Sequence, residues 1–331
     1  MMVARGLPVT PDEIRRAAER IAPYVHRTPL VRTTTLGAMA GCELWLKAEN
    51  LQKVGAFKAR GAHNAVFALS EAEAARGVIT HSSGNHAAAL ALAARNRGIE
   101  AQVVMPADAP TVKQEAVAGY GATITLCEPT LEAREQTVAE IQGRTGAVLV
   151  HPYDDVHVIA GQGTAGLEIV DQLGSTPPDV VVVPVGGGGL LSGVALAIKE
   201  ALPECEVLGA EPTGADDAHR SLVAGRLIPQ TDPNTIADGL LTSLGERNFA
   251  IITALVDDIM LVDDRQIIEA MELIWTRCKL VVEPSGAVAV AAVLNHRDRF
   301  AGRRVVALLT GGNVDLGNLP WDVDQGSDVV G

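Results

Sequence analysis

Lys58 lies in the run Gly55-Ala56-Phe57-Lys58-Ala59-Arg60-Gly61-Ala62. Small and apolar neighbours make a lysine costly to keep charged. Desolvation lowers its pKa and frees a nucleophilic amine. Taken alone, a lysine in a loop or at a helix start is ordinarily a solvated surface charge. Other segments supply what a cofactor-bearing lysine needs. The turn Ser82-Ser83-Gly84-Asn85-His86 sets hydroxyls, an amide and an imidazole side by side. Gly186, Gly187, Gly188 and Gly189 follow an apolar run and precede a helical pattern. Such glycines let the backbone approach an anion, and a helix N-terminus presents unpaired N–H groups to phosphate. The other reading of these glycines is a flexible turn. The run matches neither a Walker lysine motif nor a dinucleotide fingerprint. A second glycine turn, Thr310-Gly311-Gly312-Asn313, comes near the C-terminus. The loop Glu211-Pro212-Thr213-Gly214-Ala215-Asp216-Asp217 is either a solvated helix start or a set of hard oxygen ligands. Two carboxylates and a carbonyl suit Mg²⁺, Ca²⁺ or Mn²⁺.

In this order and spacing the segments closely resemble the fold type II pyridoxal-phosphate enzymes, in the serine racemase and threonine/serine dehydratase branch. The resemblance runs from Arg27-Thr28-Pro29-Leu30 to Asp315. It implies pyridoxal 5'-phosphate bound between two lobes, with Lys58 as its Schiff-base amine and Phe57 beside it. Gly186 to Gly189 would hold the phosphate and Asn85 the ring oxygen. Asparagine is also a common turn residue. Thr310 would meet the pyridine nitrogen. A neutral hydroxyl there leaves the nitrogen largely unprotonated, which favours loss of a β-leaving group. The family often carries serine or cysteine at this position, so threonine is a mild departure. Glu283 would sit near the ring or cap the helix that follows it.

The same resemblance implies substrate contacts at Ser82, Ser83, His86 and Arg134. In racemases of the family the serine matching Ser83 faces the substrate Cα opposite the lysine. Many threonine dehydratases have alanine there, and a serine in this turn otherwise caps a helix. Arg134 resembles a racemase-branch arginine that enters the site when the small lobe closes; the alternative is a surface helix arginine. His86 is either a ligand contact or a cap residue. Ala88 replaces a usual glutamine. Glu211, Ala215 and Asp217 match a structural divalent-cation site. The implied activity is dehydration and deamination of L-threonine or L-serine to a 2-oxo acid and ammonia, with possible racemase activity. The alternatives are serine racemase as the main activity, threo-3-hydroxyaspartate dehydratase, or a non-catalytic amino-acid-binding protein. Relatives are usually homodimers.

These residues need elements to position them. Strand and helix patterns alternate, which predicts an α/β fold with parallel sheets. Thr10, Pro11 and Glu13 open a first helix with a capping box. Strands are predicted at 77–80, 101–105, 122–126 and 147–150, with helices at 87–97, 111–119 and 131–143 between them. After Gly161 the pattern restarts with a helix at 164–173. Strands follow at 180–185, 206–210, 259–262 and 305–309, and helices at 190–202, 264–276 and 285–294. The resemblance places a small lobe, 77–154, inside a large cofactor-binding lobe, 1–76 and 155–331. Both would contain open parallel sheets.

Composition removes other classes. The chain has 331 residues, room for two cores, and its 47% hydrophobic content fits a globular protein. A net charge of −13 without a basic run argues against nucleic acid and anionic membranes. No apolar run approaches the ~20 residues that span a bilayer, and the N-terminus lacks a signal-peptide core. Cys42, Cys127, Cys205 and Cys278 have no metal or redox spacing and read as reduced thiols of a cytoplasmic protein. The sequence shows no feedback module after the Thr310 turn, so such regulation is expected to be absent.

Overall fold

The computed structural model describes residues 6–82, 84–109 and 111–321. Thr10 caps the first helix, Pro11–Ile21, and Glu13 returns the bond in a capping box. Ten strands follow in chain order: β1 Leu30–Thr33, β2 Glu43–Ala48, β3 Val78–His81, β4 Ala101–Pro106, β5 Thr123–Cys127, β6 Val148–Leu149, β7 Val180–Pro184, β8 Glu206–Pro212, β9 Asp258–Val262 and β10 Arg304–Leu309. They form two sheets, in the order β1-β2-β10-β7-β8-β9 and β5-β4-β3-β6. Every described pairing is parallel except that of the edge strand β1 with β2.

The valine run of β7 is buried throughout. Val181 and Val183 point into one core with Ile159, Ile169 and Val194. Val180 and Val182 point into the other, with Leu44, Ala289 and Val290. A strand apolar on both faces is what a sheet covered by helices on both sides requires. The four-stranded sheet is sandwiched in the same way. The Asn85–Arg97 helix covers one face through Ala89, Leu90 and Ala93. The Leu131–Thr145 helix covers the other through Val138 and Ile141.

The structure departs from the sequence reading at one important helix. It runs unbroken as Val156–Leu173, through Gly161 and Gly163, and does not restart at residue 164. Asp155 caps it through its carboxylate. The glycines are crossing points rather than breaks. A Cβ on Gly161 would lie 2.6 Å from Gly61 Cα, and one on Gly163 would lie 2.8 Å from the Gly193 carbonyl. Three helices therefore approach almost backbone to backbone, which outweighs glycine's poor helix propensity. The helix expected at 264–276 ends at Leu273 and passes into a π turn, Ile274–Cys278. Trp275 Nε1 donates to the Val282 carbonyl at 3.0 Å, which holds the approach to Glu283.

Candidate active site

The segments at the carboxyl ends of β3, β7 and β10 carry Asn85, the glycine run and Asn313, and a cleft at such strand ends is the usual position for ligands in parallel sheets. Lys58 is the first residue of the Lys58–Ala68 helix. The segment before it is stapled to the turn after β10. Ala56 bridges Gly311, Phe57 N donates to the Thr310 carbonyl at 3.0 Å, and Gly312 N donates to the Gly55 carbonyl at 2.9 Å. Lys58 Nζ donates to the Pro152 carbonyl at 2.8 Å and lies 5.0 Å from the Phe57 ring centroid. Burial lowers its pKa to about 8.

Pro152 stands on the crossover from β6 to the Val156–Leu173 helix. Its neighbour Tyr153 rests on the glycine run between β7 and the Gly189–Ala201 helix. A Cβ on Gly187 would lie 2.2 Å from Tyr153 Cγ, and one on Gly189 would lie 2.9 Å from the Tyr153 carbonyl. Asn248 Nδ2 clamps both partners, donating to Gly187 O at 2.8 Å and Tyr153 O at 3.0 Å. Gly188 takes φ 90°, open only to glycine at low cost. The N–H groups of Gly186, Gly187 and Gly188 have no acceptor among the described residues. Free N–H groups at a helix N-terminus, with no room for side chains, fit a phosphate.

Asn85 opens the Asn85–Arg97 helix. Its Nδ2 donates to Glu283 Oε1 at 2.8 Å, and its Oδ1 accepts from Asn313 Nδ2 at 2.7 Å. Glu283 precedes the Pro284–Asn295 helix, but its side chain does not cap that helix. Burial, helped by the charge of Asp238, pushes its pKa up to about 8. Thr310 is buried and its hydroxyl donates to the Ser285 carbonyl at 3.2 Å. That bond is long and weak, so the hydroxyl hydrogen is held only loosely. Ser82 Oγ accepts from Gly84 N at 3.3 Å. Ser83 lies outside the described residues. His86 is buried; its Nε2 pairs with the Val150 carbonyl at 3.2 Å, and its Nδ1 has no partner among the described residues. Burial, reinforced by the Lys58 charge, keeps its pKa well below the usual value.

Arg134 stands on the Leu131–Thr145 helix, half-buried, with its Nε on the Thr130 carbonyl at 3.3 Å. Its charge is felt at His81, whose pKa is lowered first by burial and then by Arg134. His151 stands edge-on to His81 and Tyr153, with ring centroids 5.7 and 4.6 Å away. Its Nδ1 accepts from Asp154 N at 3.0 Å. Burial, with His81 and Lys58 nearby, lowers its pKa to about 4. The sequence reading gave no role to His151, Tyr153, Asn248 or Asn313. Only Asn313, inside a quoted motif, carried a signal.

Two residues beyond Lys58, Arg60 enters a buried ion cluster. It donates to both oxygens of Glu49 at 2.7 and 2.8 Å and to Glu168 at 2.7 Å. Lys47 completes the set at 2.5 Å from Glu168. Two cations face two carboxylates, so the cluster is neutral. It ties β2 and the Val156–Leu173 helix to the helix that carries Lys58.

The two end carboxylates of the acidic loop, Glu211 and Asp217, are also buried. Glu211, at the end of β8, accepts from Ala218 N at 3.0 Å and His219 N at 2.9 Å, which caps the Asp217–Ala224 helix. Asp217 Oδ2 accepts from Leu244 N at 2.7 Å, and its Oδ1 has no partner among the described residues. Burial pushes Glu211 up to about 9 and Asp217 to about 6. Ala215 is buried in the short turn between them. No group of three or more His, Cys, Asp or Glu side chains converges like a metal site among the described residues.

A model of the pyridoxal-phosphate dependent enzyme family matches residues 21–311. The chain belongs to that family. It is 48% identical over 313 residues to a beta-hydroxyaspartate dehydratase of Paracoccus denitrificans, covering 95% of this chain and 99% of that one. The crystal structure of serine racemase from Dictyostelium discoideum superposes with a TM-score of 0.89 at 47% identity, over 93% of this chain and 99% of that one. The crystal structure of a T.th. threonine deaminase has the same score, identity and coverage. The fold is that of the fold type II pyridoxal-phosphate enzymes. A pyridoxal-phosphate enzyme needs an amine, a phosphate cradle and ring contacts, and the residues around Lys58 fit all three.

Proposed function

We propose that the chain dehydrates and deaminates β-hydroxy amino acids, L-threonine or L-serine foremost, to a 2-oxo acid and ammonia. Racemisation of serine accompanies this as a lesser activity. The supporting observation is the Lys58 amine, desolvated and anchored on the Pro152 carbonyl, one residue from the Tyr153 ring that seals the glycine cradle. A protein that only binds amino acids has no use for such an amine.

In this reading Gly186 to Gly189 hold the phosphate, Phe57, Asn85, Glu283 and Thr310 surround the ring, and Ser82, Ser83 and His86 contact substrate. When bound, pyridoxal 5'-phosphate supplies the sink for the electron pair left at Cα. Lys58 removes the Cα proton from one face. The β-hydroxyl departs with a proton, and water then releases ammonia and the 2-oxo acid. Ser83 serves the opposite face and returns a proton there when the product is the D-amino acid. Residues 77–154 act as the small domain against 1–76 and 155–331. Net acidity and four free cysteines suit a cytoplasmic protein, which we read as a homodimer.

A second reading has an observation of its own. Arg134 lies near enough to His81 to help lower its pKa, and in this reading its guanidinium holds the second carboxylate of 3-hydroxyaspartate. One panel tests both. The purified protein is given L-serine, L-threonine and L-threo-3-hydroxyaspartate, and 2-oxo acid and D-amino acid are measured for wild type and Ser83→Ala. Wild type should form mostly 2-oxo acid, with some D-serine. Ser83→Ala should lose D-serine formation and keep L-dehydration. Equal D-serine from both proteins would reduce Ser83 to a turn residue. No 2-oxo acid from any substrate would end the elimination reading.

Glu211, Asp217 and the Ala215 carbonyl are our site for a structural Mg²⁺, Ca²⁺ or Mn²⁺. The supporting observation is the unpartnered Asp217 Oδ1 beside a second buried carboxylate. A cation bound only by the folded state raises its stability. EDTA should therefore lower the melting temperature, and added Mg²⁺ should restore it. An unchanged melting curve, with no metal by elemental analysis, would remove the site.

A further inference from the structure

Val54 is a β-branched residue in the left-handed region, at φ 56° and ψ 15°. Such a conformation is strained and persists only where the surroundings enforce it. The enforcing contact comes from Asn313, whose Nδ2 donates to the Val54 carbonyl at 2.7 Å. Gly55 makes room for that amide. A Cβ there would lie 2.6 Å from Asn313 Oδ1. Lys58 starts its helix three residues later.

The same Asn313 Nδ2 also reaches Asn85, across the cleft between the two sheets, at 2.7 Å. A backbone carbonyl only accepts, so Val54 dictates that the amide nitrogen of Asn313 faces inward. Asn85 must then offer its oxygen to Asn313. Its own nitrogen is turned toward Glu283 Oε1, 2.8 Å away. That nitrogen carries a second hydrogen, which has no acceptor among the described residues.

We propose that Asn313 is a positioning residue that sets the direction of the Asn85 amide. It aims the spare Asn85 N–H at the ring oxygen of the cofactor and couples that aim to the turn delivering Lys58. The proposal rests on the cofactor reading of the site. The direction matters because a ring oxygen is an acceptor. An N–H facing it attracts, and a reversed amide presents oxygen to oxygen.

Asn313→Asp keeps the shape and removes both donors. Asn85 must then reverse to donate to the new carboxylate. The apoprotein is titrated with pyridoxal 5'-phosphate, and the dissociation constant and visible absorbance spectrum are recorded. Asn313→Asp should weaken binding about tenfold or more and alter the spectrum, and it should also lower the melting temperature of the apoprotein, because a carboxylate then faces the Val54 carbonyl. In an Asn85→Ala background the Asn313 substitution should cost clearly less than it does in the wild type, because the part that acts through Asn85 is already lost and residues sharing a contact are non-additive. Asn313→Ala, which adds no charge, should give the same non-additive loss and replaces the aspartate variant if that one fails to fold. Wild-type affinity and spectrum in the Asn313 variants would overturn the proposal, as would full additivity with Asn85→Ala. Failure of the wild-type apoprotein to bind the cofactor would instead overturn the underlying reading of the site.

Discussion

A lysine amine in water holds its proton up to 10.5, whereas Lys58, with its charge stripped of solvent, releases it at about 8. Only the neutral amine attacks the cofactor aldehyde. Mixing apoprotein with pyridoxal 5'-phosphate should therefore show a capture rate that rises with pH and levels off above about 8. A rise centred near 10.5 would place the amine in open water. Lys58→Ala should show no borohydride-fixable capture at any pH and almost no turnover. The residue types at this site were legible in the sequence because lysine, asparagine and glycine carry side-chain or backbone chemistry at fixed places in the run. The partner of Lys58 was not, because Pro152 contributes a backbone carbonyl that any residue possesses. The role of Asn313 was hidden for a related reason. It exists only relative to Val54 and Asn85, far away in sequence.

At the scale of elements, burial decided what could be read. Helices with apolar stripes and caps, such as Pro11–Ile21, announce themselves. β2 does not, because Lys47 is fully buried and breaks the apolar pattern. The Lys58–Ala68 helix is equally obscured, since Arg60, His63 and Asn64 are buried polar residues. The Val156–Leu173 helix contains glycines that normally signal a stop and here allow close crossing. The Arg60 cluster gives this scale its prediction. Arg60→Met strands Glu49, which has no exposure, beside Glu168. Leaving one partner of a buried pair typically costs about 3–5 kcal/mol. The urea midpoint should fall accordingly, and cofactor capture should slow as the start of the Lys58 helix loosens. An unchanged midpoint would mean that the cluster contributes no net stability.

Across the whole molecule, an exposed ion pair joins the two proposed domains, as the Asn85 contacts do. Lys113, on the Thr111–Gly119 helix, lies 2.6 Å from Asp238, and the two are 33% and 52% exposed. Asp238 begins a turn that packs against the glycine cradle, where a Cβ on Gly186 would lie 3.0 Å from Leu240 Cα. Exposed pairs contribute about 0–1 kcal/mol and weaken in salt. In the proposed two-domain reading, a contact that weak biases closure without locking it. Lys113→Glu should lower kcat/KM by a factor of roughly 2–5, the range such a pair allows. Adding Asp238→Lys should restore the rate, and salt should slow the wild type more than Lys113→Glu. No recovery in the double variant would show that the pair has no part in closure.

β10 sits between β2 and β7, and the turn after it completes the Lys58 segment. The six-stranded sheet is thus closed by the latest of its strands to leave the ribosome. Until then β2 and β7 each present an open edge, the kind of surface that recruits other chains. The nascent protein can assemble its four-stranded sheet early, yet the segment that carries Lys58 lacks its Thr310–Gly312 partners until β10 and the turn after it have emerged. Cofactor capture is therefore a late event in the life of the new chain, and a chain released short of β10 is both inactive and prone to aggregate.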